Sequence, residues 1–378
     1  MSTTPPGGGI LITMHRMSQG GADRVAVLLA NGFVAAGIPT AFVLLRDDGE
    51  GEQALFDLLD PGVSVRSAGP AMGSRHLELI RGLKFIRNEI ALIKPSVVLA
   101  SSSNMGLVTG IASRTWRGKA PQFAMKLTNP VIRPRDHGRL RTAYRRALYG
   151  FIFGHYDLVM ILTDAERLDL SAAHARHSAR FRTVANAYIS DEMIAGDATP
   201  RPDGPARILT LARMMPQKRL DVLLEAFARL DLPEARLTIL GDGPLRPSLE
   251  RQAQSLGIAA RVDMPGFADN VLPWLRTTDL FVLSSDYEGL PAAMIEALAC
   301  NVPVVTTDCF PGAREMFAGV ECCAVTPIAD AIALARAMEA SLAIRPAPTG
   351  LRELAKAYGV EASIAAHIAA LRPLMEPR

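Results

Sequence analysis

Short apolar segments alternate with helix-like segments along most of this chain, and this alternation limits the possible fold more than any other feature. Apolar runs occupy residues 10–14, 40–45 and 96–101, and a helical pattern begins at about Gly21. Strands that alternate with helices in this way form parallel sheets with helices on both faces. The first part of the chain is therefore expected to be a doubly wound α/β unit.

The same alternation restarts after about residue 190 and predicts a second unit of the same kind. The strands expected there are residues 207–213, 237–241, 261–266, 279–285 and 302–307. A segment rich in Pro, Gly and Asp precedes them at residues 196–205, as a linker would. Because 378 residues also exceed the usual size of one core, we expect two domains, residues 1–187 and 188–378. Ligands are then expected at the carboxyl ends of the strands, in a cleft between the domains.

Positive charge is concentrated in the first half of the chain. The net charge is +3, yet residues 1–185 hold 23 Lys and Arg against 14 Asp and Glu. Ten basic residues stand against the single acid Asp136 within one stretch: Arg114, Arg117, Lys119, Lys126, Arg133, Arg135, Arg139, Arg141, Arg145 and Arg146. This stretch is either an ordinary solvated surface or a patch that docks on anionic lipid. Nucleic acid is a less favoured partner, because no reader motif accompanies the charge.

Cysteine usage and the apolar segments indicate the compartment. The four cysteines, Cys300, Cys309, Cys322 and Cys323, form no C-x-x-C spacing, and we expect free thiols. The opening residues MSTTPPGGG have neither a basic nor an apolar signal region, and charged or polar residues interrupt the longest apolar stretch, residues 151–162. We expect a cytoplasmic protein without a spanning helix, peripheral on the inner face of the cytoplasmic membrane if the basic stretch docks there.

Two glutamates stand eight residues apart in the segment DYEGLPAAMIEALACNVPVVTTD, residues 286–308. Glu288 is expected in the turn after a buried strand, and Glu296 in the helix that follows. The amino end of that helix, next to Gly289, offers backbone N–H groups and a partial positive charge to an anion. A carboxylate beside it can accept hydrogen bonds from sugar hydroxyls. A helical glutamate is often only solvated, but the apolar neighbours of Glu296 indicate that it needs a partner.

Two cations, Arg213 and Lys218, lie five residues apart in LARMMPQKRLD, where a strand ends and a turn begins. They either are surface cations or converge on one diphosphate, where each charge-assisted hydrogen bond would contribute roughly 1.5 to 3 kcal/mol. The chain contains no D-x-D motif, the pair of nearby carboxylates that would hold Mg²⁺. We therefore expect no metal, and the two cations would take its place.

Glycine-rich turns give weaker signals. Gly20 and Gly21 follow the first predicted strand and would let a backbone approach a bulky ligand, although tight turns also use Gly-Gly. The segment LGDGPLR, residues 240–246, fails as a dinucleotide fingerprint because Arg246 occupies the third glycine position. We interpret this segment as a turn that lines the cleft.

Taken together, GGADRV, LARMMPQKRLD, LGDGPLR, EGLPAAMIEA and VPVVTTDCFPGARE resemble the retaining glycosyltransferases of family 4, which have the GT-B fold. The resemblance runs from Gly20 to Glu315 in the order of the family, and its specific part is EGLP followed by EA, with the Arg and Lys upstream. It implies two Rossmann-like doubly wound domains that face a central cleft. The last helix, about residues 361–375, would cross back to the first domain.

The resemblance also implies a role for each matched residue. The catalytic residues would be Glu288 on the transferred sugar and Arg213 with Lys218 on the donor diphosphate. The other donor contacts would be Glu296 on the ribose, Gly289 and Leu290 at the sugar and phosphate, Gly20 and Gly21 over the diphosphate, and Gly266 and Phe267 near the nucleobase. Transfer would retain the anomeric configuration, without metal or cofactor, and stabilisation of the departing diphosphate would be the largest catalytic term.

The expected reaction moves a hexose from a nucleotide diphosphate sugar, with a UDP-sugar favoured, to a glycan or lipid-linked acceptor in cell-surface polysaccharide or glycolipid synthesis. A non-catalytic glycan- or nucleotide-binding subunit of a glycosyltransferase complex is the alternative hypothesis. A nicotinamide dehydrogenase is a distant third, because a proper fingerprint is lacking.

The chain departs from the family pattern at several positions. A histidine often lies near the acceptor in the first domain, and this chain has Asn104 and Asn129 in the corresponding places. His15 follows the first strand and could approach the acceptor or be an ordinary turn residue. Arg219 replaces a common glycine, which we expect to be tolerated unless the position requires a positive φ.

Overall fold

The computed structural model describes residues 8–17, 21–47, 53–72, 74–116, 121–131, 138–195, 204–268, 270–344 and 350–376. They form two compact units. Unit 1 holds the described residues up to Ala187 and those from Val360 onward, and unit 2 holds Tyr188–Gly359.

Unit 1 is built on a sheet of parallel strands with the order β3-β2-β1-β4-β5-β6-β7. The strands are β1 (Ile10–Met14), β2 (Thr40–Leu44), β3 (Ser64–Ser67), β4 (Val97–Ala100), β5 (Gln122–Lys126), β6 (Leu158–Ile161) and β7 (Phe181–Thr183). The helices between them are α1 (Gly21–Ala35), α2 (Gln53–Phe56), α3 (Arg75–Ile93), α4 (Ser103–Thr115), α5 (Arg139–Phe153) and α6 (Asp164–Ala173). The order is that of a doubly wound sheet, which reverses between β1 and β4.

Unit 2 repeats this architecture with the strand order β10-β9-β8-β11-β12-β13, again parallel throughout. The strands are β8 (Arg207–Leu211), β9 (Arg236–Leu240), β10 (Val262–Gly266), β11 (Leu280–Leu283), β12 (Val304–Thr307) and β13 (Ala324–Thr326). The helices are α7 (Asp191–Ala195), α8 (Leu220–Ala228), α9 (Arg246–Ser255), α10 (Leu272–Arg276), α11 (Ala292–Ala299), α12 (Ala313–Met316), α13 (Ala331–Ala343) and α14 (Leu351–Ala355). The expected α/β class is confirmed in both units.

The last helix, α15 (Val360–Met375), belongs to unit 1, where it packs against α1, β4 and β5. Gly32 of α1 permits this close packing, because a Cβ there would lie 2.4 Å from the Cδ1 of Ile364. The Ser363 hydroxyl also donates to the Ala185 carbonyl at 2.7 Å. Within the described ranges, no helix combines the length and the apolar character needed to cross a bilayer.

A buried lysine connects α15 to the sheet of unit 1. Lys126 ends β5, is 3% exposed, and donates to Asn186 Oδ1 at 2.6 Å and to His367 Nε2 at 2.5 Å. His367 Nδ1 lies 2.7 Å from the Ser363 carbonyl, which assigns the ring proton to Nδ1 and leaves Nε2 as an acceptor. Burial lowers the pKa of Lys126 to about 7. The expectation that Lys126 contributes to a basic surface is therefore wrong, because its amine is enclosed.

The same cluster lowers the pKa of His367 well below its ordinary value. Burial is the main cause, and the neighbouring Lys126 amine adds to it. Burial therefore disfavours the charged state of both side chains in the folded protein.

Arg219 adopts a left-handed backbone conformation between the 3₁₀ turn Pro216–Lys218 and α8. Its φ is 47° and its ψ is 43°, so this position has the positive φ that was named as the exception to easy tolerance. For a non-glycine residue this conformation costs about 1 to 2 kcal/mol. Arg219 has compensating partners, since its guanidinium donates to both carboxylate oxygens of Asp221 and to Asp286 Oδ1 at 3.3 Å.

Replacing Lys126 with methionine should flatten the pH dependence of stability between about pH 7 and pH 10.5. The folded pKa is lowered, so over this window the unfolded chain holds a proton that the folded chain has released. Wild-type stability therefore rises with pH here, by up to about 1.4 kcal/mol per pH unit, and the variant loses this contribution. Urea unfolding at several pH values measures the slope. Lys84→Met, at an exposed lysine of α3, is the control, and equal slopes for wild type and Lys126→Met would contradict the account.

At Arg219, a glycine variant should be more stable than an alanine variant by about 1 kcal/mol, because only glycine adopts the left-handed conformation without strain. Both variants lose the same ion pairs, so the difference between their free energies of unfolding measures the cost of the left-handed backbone conformation. Arg229 ends α8 with a φ of −90°, and glycine should give no advantage over alanine there. Urea unfolding of the glycine and alanine variants at both positions measures these differences. If the alanine variant at position 219 were as stable as the glycine variant, the backbone of Arg219 would not be strained.

Candidate functional site

The strand order of unit 2 reverses between β8 and β11, which are paired neighbours. At such a point the connections leave the sheet toward opposite faces, and a crevice opens at the carboxyl ends of the strands. The turn after β8 carries Arg213 and Lys218, and the turn after β11 carries Glu288. The topology therefore brings together segments that are 70 residues apart in sequence.

An ion pair between Lys218 and Glu288 joins these two turns. Lys218 Nζ lies 2.5 Å from Glu288 Oε1, and the Ser285 hydroxyl donates to the same oxygen at 2.6 Å. Glu288 is 8% exposed, so water screens this pair little. Within the part of the chain that the structure describes, no group donates to Oε2. The carboxylate is thus held by one oxygen and can accept hydrogen bonds through the other.

Further hydrogen bonds hold the two turns in register. The Ser284 hydroxyl donates to the Lys218 carbonyl at 2.8 Å. The side-chain amide of Gln217 donates to the Tyr287 carbonyl at 2.6 Å, and the backbone N–H of Asp286 donates to the backbone carbonyl of Gln217 at 2.8 Å. The separation of Lys218 and Glu288 is therefore set by the backbone as well as by their own attraction.

The turn after β12 supports the Glu288 turn from the other side. The Glu288 amide donates to the Cys309 carbonyl at 2.7 Å, and the Thr307 hydroxyl donates to the Ser285 carbonyl at 2.6 Å. Burial, and then the charge of Glu288, raise the pKa of the Cys309 thiol to about 12. A thiol that is protonated at neutral pH is a poor nucleophile, so Cys309 has a structural role.

Arg213 lies two residues beyond β8 and is exposed. Its guanidinium makes no hydrogen bond or ion pair with any described residue, which leaves its donors available to a ligand. Gly241 and Gly243 shape the turn around it, because a Cβ on Gly241 would lie 2.1 Å from the Ala212 carbonyl oxygen and one on Gly243 would lie 2.6 Å from that of Met214. The glycines of LGDGPLR are therefore a packing requirement of the Arg213 turn.

The helix after the Glu288 turn holds Glu296, as predicted. Pro291 is its N-cap, α11 starts at Ala292, and Asn301 adopts a left-handed conformation just beyond its end. Glu296 lies half-buried in the second turn of α11. Gly289 and Leu290 are buried, and the Tyr188 hydroxyl donates to the Leu290 carbonyl at 3.1 Å.

Gly266 and Phe267 lie at the carboxyl end of β10, on the same edge of the sheet as the Arg213 turn. Gly266 has a φ of 97°, and its carbonyl accepts from the Gly241 amide at 2.7 Å. The Phe267 ring is exposed. An exposed aromatic ring at this edge can stack on a planar ligand group.

The structure places the predicted acceptor residues at one edge of the sheet of unit 1. His15 follows β1, and its Nε2 lies 3.6 Å from Oε2 of the buried Glu78. Asn104 is exposed in the first turn of α4, after β4, and Asn129 follows β5. Since β1, β4 and β5 are neighbours in the sheet, all three side chains lie at the carboxyl ends of adjacent strands.

Two glycines were also predicted to contact the donor. Gly20 lies outside the described residues, and Gly21 is the first residue of α1. Gly21 is exposed, and apart from its chain neighbours and its own helix backbone, no atom of a described residue lies within 4 Å of the position that its Cβ would occupy. The packing of unit 1 itself therefore does not require a glycine at this position.

Sequence reasoning missed the residues that hold Glu288 in place, chiefly Ser285, Ser284 and Gln217. Two adjacent serines directly after a buried strand were the available signal, because hydroxyls at the end of a strand need hydrogen-bond partners.

Comparison with known proteins gives a family match within unit 2. Residues 195–358 match the sequence model of the family Glycosyl transferases group 1. The lipopolysaccharide core biosynthesis glycosyltransferase LpsE of Rhizobium meliloti is 34% identical over 176 residues, which are 46% of this chain and 50% of LpsE. The chain spans about half the length of the curated relatives that it matches.

Solved structures match nearly the whole chain. Sucrose-phosphate synthase from Thermosynechococcus elongatus superimposes with a TM-score of 0.80 at 19% identity, covering 97% of this chain and 99% of that one. HepE from Anabaena in complex with UDP-glucose gives a TM-score of 0.74 at 18% identity, covering 96% and 99%. The chain thus has the GT-B fold, and its segment 195–358 matches the model of the glycosyl transferases group 1.

Proposed function

We propose that this protein is a glycosyltransferase that moves a hexose from a nucleotide diphosphate sugar to a glycan or lipid-linked acceptor in cell-surface polysaccharide or glycolipid synthesis. The observation that carries the proposal is the Lys218–Glu288 pair at the carboxyl ends of β8 and β11. Family membership of the segment that holds this pair supports it. A UDP-sugar is the favoured donor, since HepE, a protein of the same fold, was solved with UDP-glucose.

Two cations grip the diphosphate in this proposal. An ammonium has three N–H donors, so Lys218 can keep its bond to Glu288 and still donate to a phosphate oxygen. Arg213 contributes an exposed guanidinium from the other end of the same turn. Charge-assisted hydrogen bonds of this kind each contribute roughly 1.5 to 3 kcal/mol.

Glu288 binds the transferred hexose. Lys218 and Ser285 hold its Oε1, and this leaves Oε2 directed at the sugar hydroxyls. Because the Glu288 side chain is already fixed, substrate binding costs it little further conformational entropy. Glu296 binds the ribose hydroxyls, and the backbone of Gly289 and Leu290 contacts the sugar and phosphate. The nucleobase lies near Gly266 and against the exposed ring of Phe267.

The reaction breaks the bond between the anomeric carbon and the diphosphate oxygen. The bonding electron pair leaves with the diphosphate, where Arg213 and Lys218 stabilise the developing charge. The acceptor hydroxyl attacks from the face that the diphosphate leaves, and its proton passes to the departing phosphate oxygen, so the anomeric configuration is retained. The two cations do the work that a divalent metal would do at a diphosphate.

Unit 1 supplies the acceptor side. His15, Asn104 and Asn129 offer hydrogen-bonding groups at the carboxyl edge of its sheet. For Gly21, the first residue of α1, the proposed contact is with the donor diphosphate.

Arg213→Ala and Glu288→Gln should each lower sugar transfer by about a hundredfold or more, because each removes a group that stabilises the transition state. Thermal shifts with UDP-, GDP- and ADP-sugars first identify the donor, since a ligand at 100 times its Kd stabilises by roughly 2.7 kcal/mol. Release of the nucleoside diphosphate then measures turnover. Arg229→Ala, at an exposed arginine of the same unit, should keep wild-type activity.

Full activity in both site variants, with unfolding curves like that of the wild type, would refute this site. A wild-type protein that binds a donor sugar but neither transfers nor hydrolyses it would instead favour a non-catalytic nucleotide-binding subunit.

A further inference from the structure

Three helices of unit 1 form one layer over its sheet. Helix α3 packs against α4, and α4 packs against α5. All three place apolar side chains in one core with the strands, for example Ile90 of α3, Met105 of α4 and Phe153 of α5. Their opposite faces form a continuous outer surface, which we call the α3–α5 surface.

Large apolar side chains stand exposed on this surface. On α5, Leu140 is 88% exposed, Tyr144 67% and Phe151 44%, and Ala147 is exposed between them. Their spacing of four, three and four residues places them along one side of the helix, opposite the buried Phe153. Helices α3 and α4 of the same layer also expose large apolar side chains, Leu77 and Ile80 on α3 and Ile111 on α4. Large exposed apolar side chains aligned along one side of a helix, as on α5, mark an interaction surface.

The charges on the α3–α5 surface are of one sign. Its exposed basic residues are Lys84 and Arg87 on α3, Arg114 on α4, and Arg141 and Arg146 on α5. At about 100° per residue, Arg141 lies about 90° to one side of the apolar stripe, and Arg146 lies about 130° to the other side, near the direction of Phe153. The three helices contain two carboxylates, Glu78 and Glu89, and both are buried. The surface therefore offers apolar groups between cations, with no exposed acid on these helices.

We propose that the α3–α5 surface docks on an anionic lipid bilayer, with α5 lying in the interface. A helix with an apolar stripe between arginines inserts its apolar side into the acyl boundary while the cations meet the headgroups. Aromatic and leucine side chains suit that depth, and Tyr144 can keep its hydroxyl at the headgroups. The uniform positive charge complements a negative membrane surface.

This surface differs from the basic stretch Arg114–Arg146 predicted from the sequence. Lys126 is buried, and residues 117–120 and 132–137 lie outside the described part of the chain. Lys84 and Arg87, with the exposed Leu77 and Ile80, come from a segment that the charge count did not single out, whereas Leu140 and Tyr144 lie within the basic stretch. The proposal concerns unit 1 alone, so its failure would leave the proposed sugar transfer untouched.

Co-sedimentation with vesicles tests the proposal. One vesicle set contains equal parts of phosphatidylglycerol and phosphatidylcholine, and the other contains phosphatidylcholine alone. The wild type should bind the anionic vesicles, less so as salt rises, and should bind the neutral vesicles much more weakly. The double variant Arg141→Gln with Arg146→Gln should lower the partition coefficient roughly thirtyfold, from the usual contribution of two basic side chains near an anionic surface.

A second double variant, Leu140→Ser with Tyr144→Ser, should lose binding by about tenfold or more while it keeps the salt dependence of the wild type. Two matched controls should bind like the wild type: Leu168→Ser, at an exposed leucine of α6, and Arg229→Gln with Arg336→Gln, at exposed arginines of unit 2. All substituted positions are exposed, and unfolding curves confirm that the variants fold.

A wild type that does not bind anionic vesicles would overturn the proposal, and so would controls that lose as much binding as the two test variants. Self-association in analytical ultracentrifugation that the test variants abolish, without vesicle binding, would assign the surface to a second copy of this chain instead.

Discussion

The Lys218–Glu288 ion pair is the contact on which the candidate site depends. It joins the turns after β8 and β11 at 2.5 Å, and both side chains are largely buried. Removing either partner would leave the other charge with little water to replace it, which is more costly than losing an exposed pair. The Ser284 hydroxyl donates to the Lys218 carbonyl, and the Ser285 hydroxyl donates to the Glu288 carboxylate. These bonds hold the two turns together and keep the ion pair in position. A carboxylate held in this way is oriented before a substrate arrives.

The position of this pair follows from the topology of a doubly wound sheet. Because the strand order reverses between β8 and β11, the turns after these strands must open a crevice at one edge of the sheet. Gly241 and Gly243 allow the turn after β9 to pack against the Arg213 turn. Arg219 adopts a strained conformation at the start of α8 and is held there by Asp221 and Asp286. Local strain and close packing are thus concentrated around the two cations, where a rigid arrangement favours ligand binding.

The sequence predicted the central elements better than the edges, for a physical reason. Strand β1 was predicted with its observed bounds because it is buried on both sides and reads as one apolar run. Strand β3 is a half-buried edge strand with the sequence SVRS, which shows no such run. Glu288 and Lys218 were each predicted near the end of a strand, but neither their ion pair nor their serine partners were predicted, because these contacts depend on side-chain directions. The burial of Lys126 could not be predicted from the sequence, because its partners Asn186 and His367 lie 60 and 241 residues away along the chain.

The most direct test of the central claim is a double-mutant cycle on donor binding. The affinity for the donor sugar is measured by calorimetry for the wild type, Lys218→Met, Glu288→Gln and the combined variant. If the two side chains act on the donor as one coupled unit, the double variant should lose less affinity than the sum of the single losses, with a coupling energy between about 0.5 and 3 kcal/mol. Additive losses, or single variants that bind the donor as tightly as the wild type, would contradict the account.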